Sequence, residues 1–292
     1  MDSQRPSRTA EGAAALRVWH GLVDDPPHLI DDSAVRALLR MSTRAVLQQP
    51  PRWLRLAIRT QERFQPELAA LRGQVVVRGR FAEDALDAAL AQGCRQVIIL
   101  GAGLDTTALR RPELLESVAL FEVDHPATQA WKRNRLAAEV ADKIRFVAVD
   151  FERDDLALAL LEAGVRTDQP LFVNWLGCTY YLNPDAQNAA LGAVGRVAAP
   201  GSQLVLDYWL PGAALPLRPR LLLAGVRFAV ALQREPLLGL QDSAQLAARA
   251  TTAGWTIAED LDAEDQRARW IRGRRDTLAV PEFAQLARLK LG

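Results

Sequence analysis

Two cysteines, Cys94 and Cys178, are all that 292 residues carry. Two thiols cannot build a disulfide framework, and these two match no metal-binding pair spacing. Histidine is also scarce, with His20, His28 and His125 alone. No HExxH or comparable pair exists, which excludes the usual helical zinc site. Net charge is nearly absent. Thirty-six Lys+Arg against 35 Asp+Glu leave +1. A protein held mainly by nucleic-acid phosphates needs a basic excess, so no nucleic-acid partner is expected. Long apolar runs are missing too. Leu221–Leu232 is the strongest, but it has 12 residues and contains Arg227, too short and too charged to cross a bilayer. Residues 1–10, MDSQRPSRTA, lack a signal peptide's apolar core. A cytoplasmic chain with no membrane partner is the resulting expectation.

What remains is ordinary globular material, 49% hydrophobic and 24% charged. A chain this long can bury a core without staples. The first 75 residues read as a helical cap. Asp31-Asp32-Ser33 signals a helix start ahead of a helix over 34–47, stopped by Pro50-Pro51. Residues 76–292 read as the main domain, with an excursion over 211–242 where Pro211, Pro216 and Pro219 interrupt the pattern.

In the centre, five short apolar runs rich in β-branched residues read as buried strands: 97–100, 118–123, 144–149, 171–173 and 203–206. Helical patterns over 127–140, 156–163 and 185–197 separate them. Alternation of this kind implies βαβ units, and so a doubly wound, mostly parallel α/β sheet. Further on, 221–232 reads as an apolar helix, 243–253 as a capped helix, 255–257 as a strand start and 281–291 as a terminal helix.

Open parallel sheets bind ligands beyond the carboxyl ends of their strands. After the first strand comes Gly101-Ala-Gly103-Leu-Asp105-Thr106, and after the second Asp124. Asp150 and Phe151 follow the third, GCTYY from Gly177 to Tyr181 lies beyond the fourth, and Asp207 and Tyr208 follow the fifth. Glycine lets backbone approach a ligand closely. A dinucleotide fingerprint would place a third glycine where Thr106 stands. Asp124, 23 residues after Gly101, suits a ribose diol in either an NAD or an S-adenosylmethionine site. S-adenosylmethionine explains more of the pattern, because it has no pyrophosphate to cradle. Asp124 would take its ribose. Asp150 and the Phe151 N–H would take its adenine. Arg78 or Arg80 would pair with its carboxylate.

Several roles compete with structural ones. Asp105 serves equally well as a helix cap, and Arg110 reads as an ion-pair partner. His20, His28 and both cysteines read as structural, whereas Trp175 has a strand-end position from which it could line a pocket. Tyr180, Tyr181 and Tyr208 are the chain's three tyrosines, all at strand ends, and are the candidates for positioning an acceptor. No catalytic residue is singled out beyond them, and no metal site is expected.

The segments RGRFAED (78–84), GAGLDTTALR (101–110), FEVDHP (121–126), VDF (149–151) and GCTYYL (177–182) together resemble the leucine carboxyl methyltransferase family. In particular they resemble its bacterial branch of polyketide-type O-methyltransferases. SRTAEGAAALR (7–17) and LIDDSAVRALL (29–39) add to it. The resemblance implies a class I methyltransferase fold: a Rossmann-like, seven-stranded sheet with one antiparallel edge. It also implies S-adenosyl-L-methionine as cofactor. By position, Arg78 would hold the methionine carboxylate, Gly101 and Gly103 would approach the cofactor, Asp124 would hold ribose, and Asp150 with Phe151 would hold adenine. Many members carry a glutamate where this chain has Leu176.

The expected function is therefore O-methylation of a small natural-product-type acceptor. A carboxylate is favoured over a hydroxyl, since it is ionised at neutral pH and needs no general base. The alternatives are an NAD(P)-dependent oxidoreductase and a non-catalytic cofactor-binding protein.

Overall fold

The computed structural model describes residues 7–47, 49 and 51–292. The helices in chain order are α1 (Arg8–Val23), α2 (Met41–Val46), α3 (Arg52–Phe64), α4 (Glu67–Ala91), α5 (Thr107–Arg110), α6 (Leu114–Ser117), α7 (Pro126–Arg133), α8 (Ala138–Ala141), α9 (Leu156–Glu162), α10 (Pro184–Val197), α11 (Leu217–Leu232), α12 (Ser243–Thr252) and α13 (Ala263–Gln266). The strands are β1 (Gln96–Leu100), β2 (Ala119–Asp124), β3 (Ile144–Ala148), β4 (Leu171–Trp175), β5 (Gln203–Trp209), β6 (Trp255–Leu261) and β7 (Ala284–Leu291).

All seven strands form one sheet in the order β3-β2-β1-β4-β5-β7-β6. β1 to β5 pair in parallel, whereas β7 runs antiparallel to both β5 and β6. This is the class I methyltransferase topology, with one correction: the antiparallel strand lies one place in from the edge, not at it.

Period-two alternation sends successive side chains to opposite faces. Ile98 and Leu100 of β1 join a core with α9, α10 and α12. Val97 and Ile99 join the core under α4. The same rule governs β5, where Leu204, Leu206 and Tyr208 face the first core and Val205 the second. α1 and its surroundings form a smaller core through Val18, Val35 and Leu38. No helix among the described residues is long and apolar enough to cross a membrane.

Three expected helices differ. Residues 34–47 split into a 3-10 turn, Ser33–Ala37, and α2; Asp32 does cap the turn, accepting from the Val35 N–H. Leu38 and Leu39 turn inward to the third core instead of continuing the helix. Residues 127–140 divide into α7 and α8. Residues 281–291 are not helical: β7 is buried on both faces over most of its length, so it lacks the polar–apolar alternation that marks a half-exposed strand. Its Ala, Gln, Leu, Arg and Lys are good helix formers, and tertiary pairing overrides that preference.

Candidate functional site

The strand order lays the candidate residues along the carboxyl rim in sequence: Asp150 after β3, Asp124 at the end of β2, Gly101 after β1, Gly177 after β4 and Asp207 in β5. All but Asp207 line one cavity of about 920 Å³, roofed by α1, α4 and the end of α11. That is near the upper end of the roughly 300–1,000 Å³ of small-molecule sites.

Gly101 and Gly103 both adopt positive φ, +64° and +51°. A side chain at Gly101 would strike Cys178 Sγ at 2.9 Å. The bare backbone therefore forms the floor of the turn. The Gly103 N–H donates to Asp124 Oδ2, and the His125 N–H donates to Asp124 Oδ1 at 2.6 Å. Burial raises the Asp124 pKa; the two amides and Lys132 only partly oppose it. Its carboxylate has no cation bonded to it among the described residues, and its remaining exposure is toward the cavity. Asp150 accepts from the Glu152 N–H at 3.1 Å and lies 3.7 Å from Arg153. Phe151 beside it packs partly against the first core.

At the other end of the rim, Arg78 sits inside α4 and is 8% exposed. Its Nη1 donates to Tyr180 Oη at 2.8 Å and to Asp207 Oδ2 at 2.9 Å. Asp207 is fully buried. It also accepts from Gln74 Nε2 at 2.8 Å and from the Gly177 N–H at 2.6 Å. Burial works against the Arg78 charge, but Tyr180 and Asp207 more than offset it and its pKa is raised. Gly177 is required here: its φ is +73°, and a Cβ would lie 2.7 Å from Arg78 Nη2. Arg80, the alternative to Arg78, is exposed and pairs with Asp84 one turn on. Two residues along a helix are about 200° apart, so only one of the two arginines can face the cavity.

Of the three tyrosines, Tyr180 and Tyr181 line the cavity. Tyr180 stacks on Trp209 at 4.3 Å between ring centroids. Burial raises its phenol pKa strongly and pushes that of Tyr181 up to about 12. Tyr208 does not join them. The pleat turns it to the α12 side, where its hydroxyl bonds Ser243 and Asp260 at 2.7 and 2.8 Å. Its neighbour Asp207 takes the cavity side instead. Trp175 likewise points into the first core, whereas Cys178, read as structural, lines the cavity with its thiol pushed up to about 12 by burial.

Asp105 Oδ1 accepts from the Thr107 N–H at 2.7 Å, a local turn bond one residue ahead of the helix N-cap, which is Thr106. Arg110 pairs with Glu83. Thr106, where a dinucleotide loop wants glycine, donates to Asp32 at 2.8 Å, and Arg17 bonds the same carboxylate at 2.7 Å. This ties the N-terminal segment to the β1 turn. At the mouth, Ser7 and Thr9 of the α1 start bond Glu235 beyond α11. Arg8 and Arg234 line the mouth, exposed, their guanidinium groups without a hydrogen bond or ion pair among the described residues. Leu176 packs partly against the core under α4, and the carboxylate beside Arg78 comes from Asp207.

Asp207 was placed at the end of the fifth strand without a role, and Gln74, Glu235, Arg8 and Arg234 were not singled out from sequence. Alternation along 203–209 could have given Asp207 its face by setting it opposite Tyr208. The others come from segments far away in the chain, with no local signal.

The family described as leucine carboxyl methyltransferase matches residues 10–195. A Bacillus subtilis protein, YktD, provisionally named an S-adenosyl-L-methionine-dependent methyltransferase, is 36% identical over 136 residues, 46% of this chain and 44% of that protein. A similarly named protein of a Parafrankia species is 34% identical over 204 residues, 68% of this chain and 62% of that one. The chain thus spans less than two thirds of the length of these relatives. Among solved structures, an O-methyltransferase family protein from Burkholderia thailandensis matches with a TM-score of 0.48 and 15% identity, covering 77% of this chain and 61% of that chain.

Proposed function

This chain belongs to the leucine carboxyl methyltransferase family, and from that premise we propose that it transfers a methyl group from S-adenosylmethionine to an oxygen of a small acceptor, a carboxylate in preference to a hydroxyl. One observation carries the reading: the linear order of donors along the rim. The carboxylates of Asp150 and Asp124 come first, then the bare glycine turn, then a charged guanidinium held by Asp207. A nucleoside with an amino-acid tail has its polar groups in that order, so the residues present fit it. In this reading Asp150 and the Phe151 N–H hold adenine, Asp124 accepts from the ribose diol, Gly101 and Gly103 admit the backbone close to the tail, and Arg78 pairs with the tail carboxylate. When bound, this cofactor supplies a methyl group on a sulfonium.

The remaining work is positioning. Tyr181 and the outer end of the cavity, including Arg8 and Arg234, would orient the acceptor. A hydroxyl acceptor needs a base near neutral pH. The cavity phenols do not supply one, because burial pushes both upward. A carboxylate needs none, and the two unpaired arginines at the mouth would draw it in. Helix α1 would cap the rim, while the part of the 211–242 segment from Val226 to Leu238 would form the acceptor wall.

Calorimetric titration with S-adenosylhomocysteine and with NADH tests the first part. Binding of the former is expected; binding of NADH alone would overturn the reading. For the acceptor, a product 14 mass units heavier should lose that methyl in mild alkali. A product that survives is an ether, and the carboxylate preference falls.

A further inference from the structure

Helix α11 has two apolar faces where a helix packed against a domain normally needs one. Its inner face, Leu223 and Val230, is buried in a core with Trp209 and Phe283. Its outer face carries Leu217, Leu221, Phe228 and Leu232, spaced by four, seven and four residues. These side chains are 62, 62, 68 and 70% exposed, and no described residue covers them. Arg218 flanks this stripe on one side and Arg220 and Arg227 on the other, by helical projection. None of the three guanidinium groups makes a hydrogen bond or ion pair with a described residue. From Leu217 to Arg234 the chain contains no acidic residue.

We propose that α11 lies on an anionic lipid surface, inserting its leucine and phenylalanine side chains while its arginines meet the headgroups. A solvent-facing apolar stripe bordered by cations on both sides is the arrangement an interfacial helix needs. A bilayer-spanning run is not required, so the shortness of 221–232 does not bear on it. A second copy of this chain fits less well. Two-fold pairing places the same patch against itself, and α11 would bring arginine rows together with no acid to neutralise them. The placement also has a use. Val226 and Val230 line the cavity from the opposite side of the same helix, so docking would hold the cavity mouth close to the lipid phase. The inference rests on surface chemistry and holds whether or not the methyl-transfer reading does.

The test is co-sedimentation of the full chain with vesicles of phosphatidylcholine alone and of phosphatidylcholine mixed with phosphatidylglycerol. Retention on the anionic vesicles only, weakened by added salt, is expected. The variants Leu221→Glu/Phe228→Glu and Arg218→Gln/Arg220→Gln/Arg227→Gln should each lower partitioning by more than about tenfold. Both alter exposed side chains, so their thermal unfolding should match that of the parent. Variants that bind vesicles as the parent does would overturn the proposal. Absence of binding to either vesicle would overturn it as well. A dimer in sedimentation equilibrium that Phe228→Glu dissolves, with no vesicle binding, would assign the stripe to a second copy instead.

Discussion

Two aspartates show the difference between a closed site and an open one. Asp24, between α1 and the 3-10 turn, is 1% exposed. It accepts from Arg72 Nε at 2.8 Å and Arg72 Nη2 at 2.9 Å. It also accepts from His20 Nδ1 at 2.7 Å, a proton fixed there because His20 Nε2 accepts from the Leu29 N–H. Glu62 takes the rest of the Arg72 fork, at 2.8 and 3.0 Å. Burial raises the Asp24 pKa, but His20 and Arg72 outweigh it and the net direction is down. Asp124 is met by backbone amides alone, and there burial prevails and raises the pKa. The first acid has spent its acceptor capacity on holding helices together. The second keeps an imperfectly compensated charge directed into a cavity, which is how a ligand-ready group differs from a structural one.

Breaking the closed network should cost most. Arg72→Met leaves Asp24 and Glu62 buried without their cation and should destabilise the fold by about 3–5 kcal/mol in denaturant titration. A loss under about 1 kcal/mol would place the network among weak surface pairs. The comparison sharpens with pH. Asp24 has a folded pKa below the ordinary 3.8. Its contribution is therefore present above that value and disappears as pH falls from 3.8 through the folded pKa. Asp124 has a folded pKa above 3.8, so its ionisation costs stability, starting as pH climbs from 3.8 and complete above the folded pKa. Stability of the parent minus that of Asp24→Asn should rise with pH below 3.8. The same difference for Asp124→Asn should fall above it. Each pKa unit is worth about 1.4 kcal/mol, and a common slope in both experiments would erase the distinction.

For the open site, Asp124→Ala should weaken S-adenosylhomocysteine binding at least tenfold, about 1.4 kcal/mol, with no matching loss of fold stability. Unchanged affinity on calorimetry would remove Asp124 from the site. Tyr208→Phe should have the smallest effect. It removes the bonds to Ser243 and Asp260, costs about 1 kcal/mol of stability and leaves nucleoside affinity as it was. A drop in affinity would return Tyr208 to the acceptor side.

The legible parts share a cause. β1 to β5 are short and parallel, and all but the edge strand β3 are buried on both faces, so their apolar runs stand out, and their ends locate Gly101, Asp124 and Asp150. β7 is buried in the same sheet but is built from residues that favour helix, and only its pairing with β5 and β6 fixes it. Arg78 was legible as a candidate, yet its orientation depended on Asp207, 129 residues away. The choice between Asp207 and Tyr208 turned on one step of strand alternation.

By itself the sequence determined the parallel half of the sheet, the glycine turn after β1 and the acids that follow β2 and β3, because these are encoded by neighbouring residues and read at the period of a strand. Only the tertiary structure decided what closes the cavity and what holds Arg78. Ser7, Thr9, Gln74, Tyr180, Asp207 and Glu235 come from separate segments, and burial and charge act between groups close in space, whatever their distance along the chain.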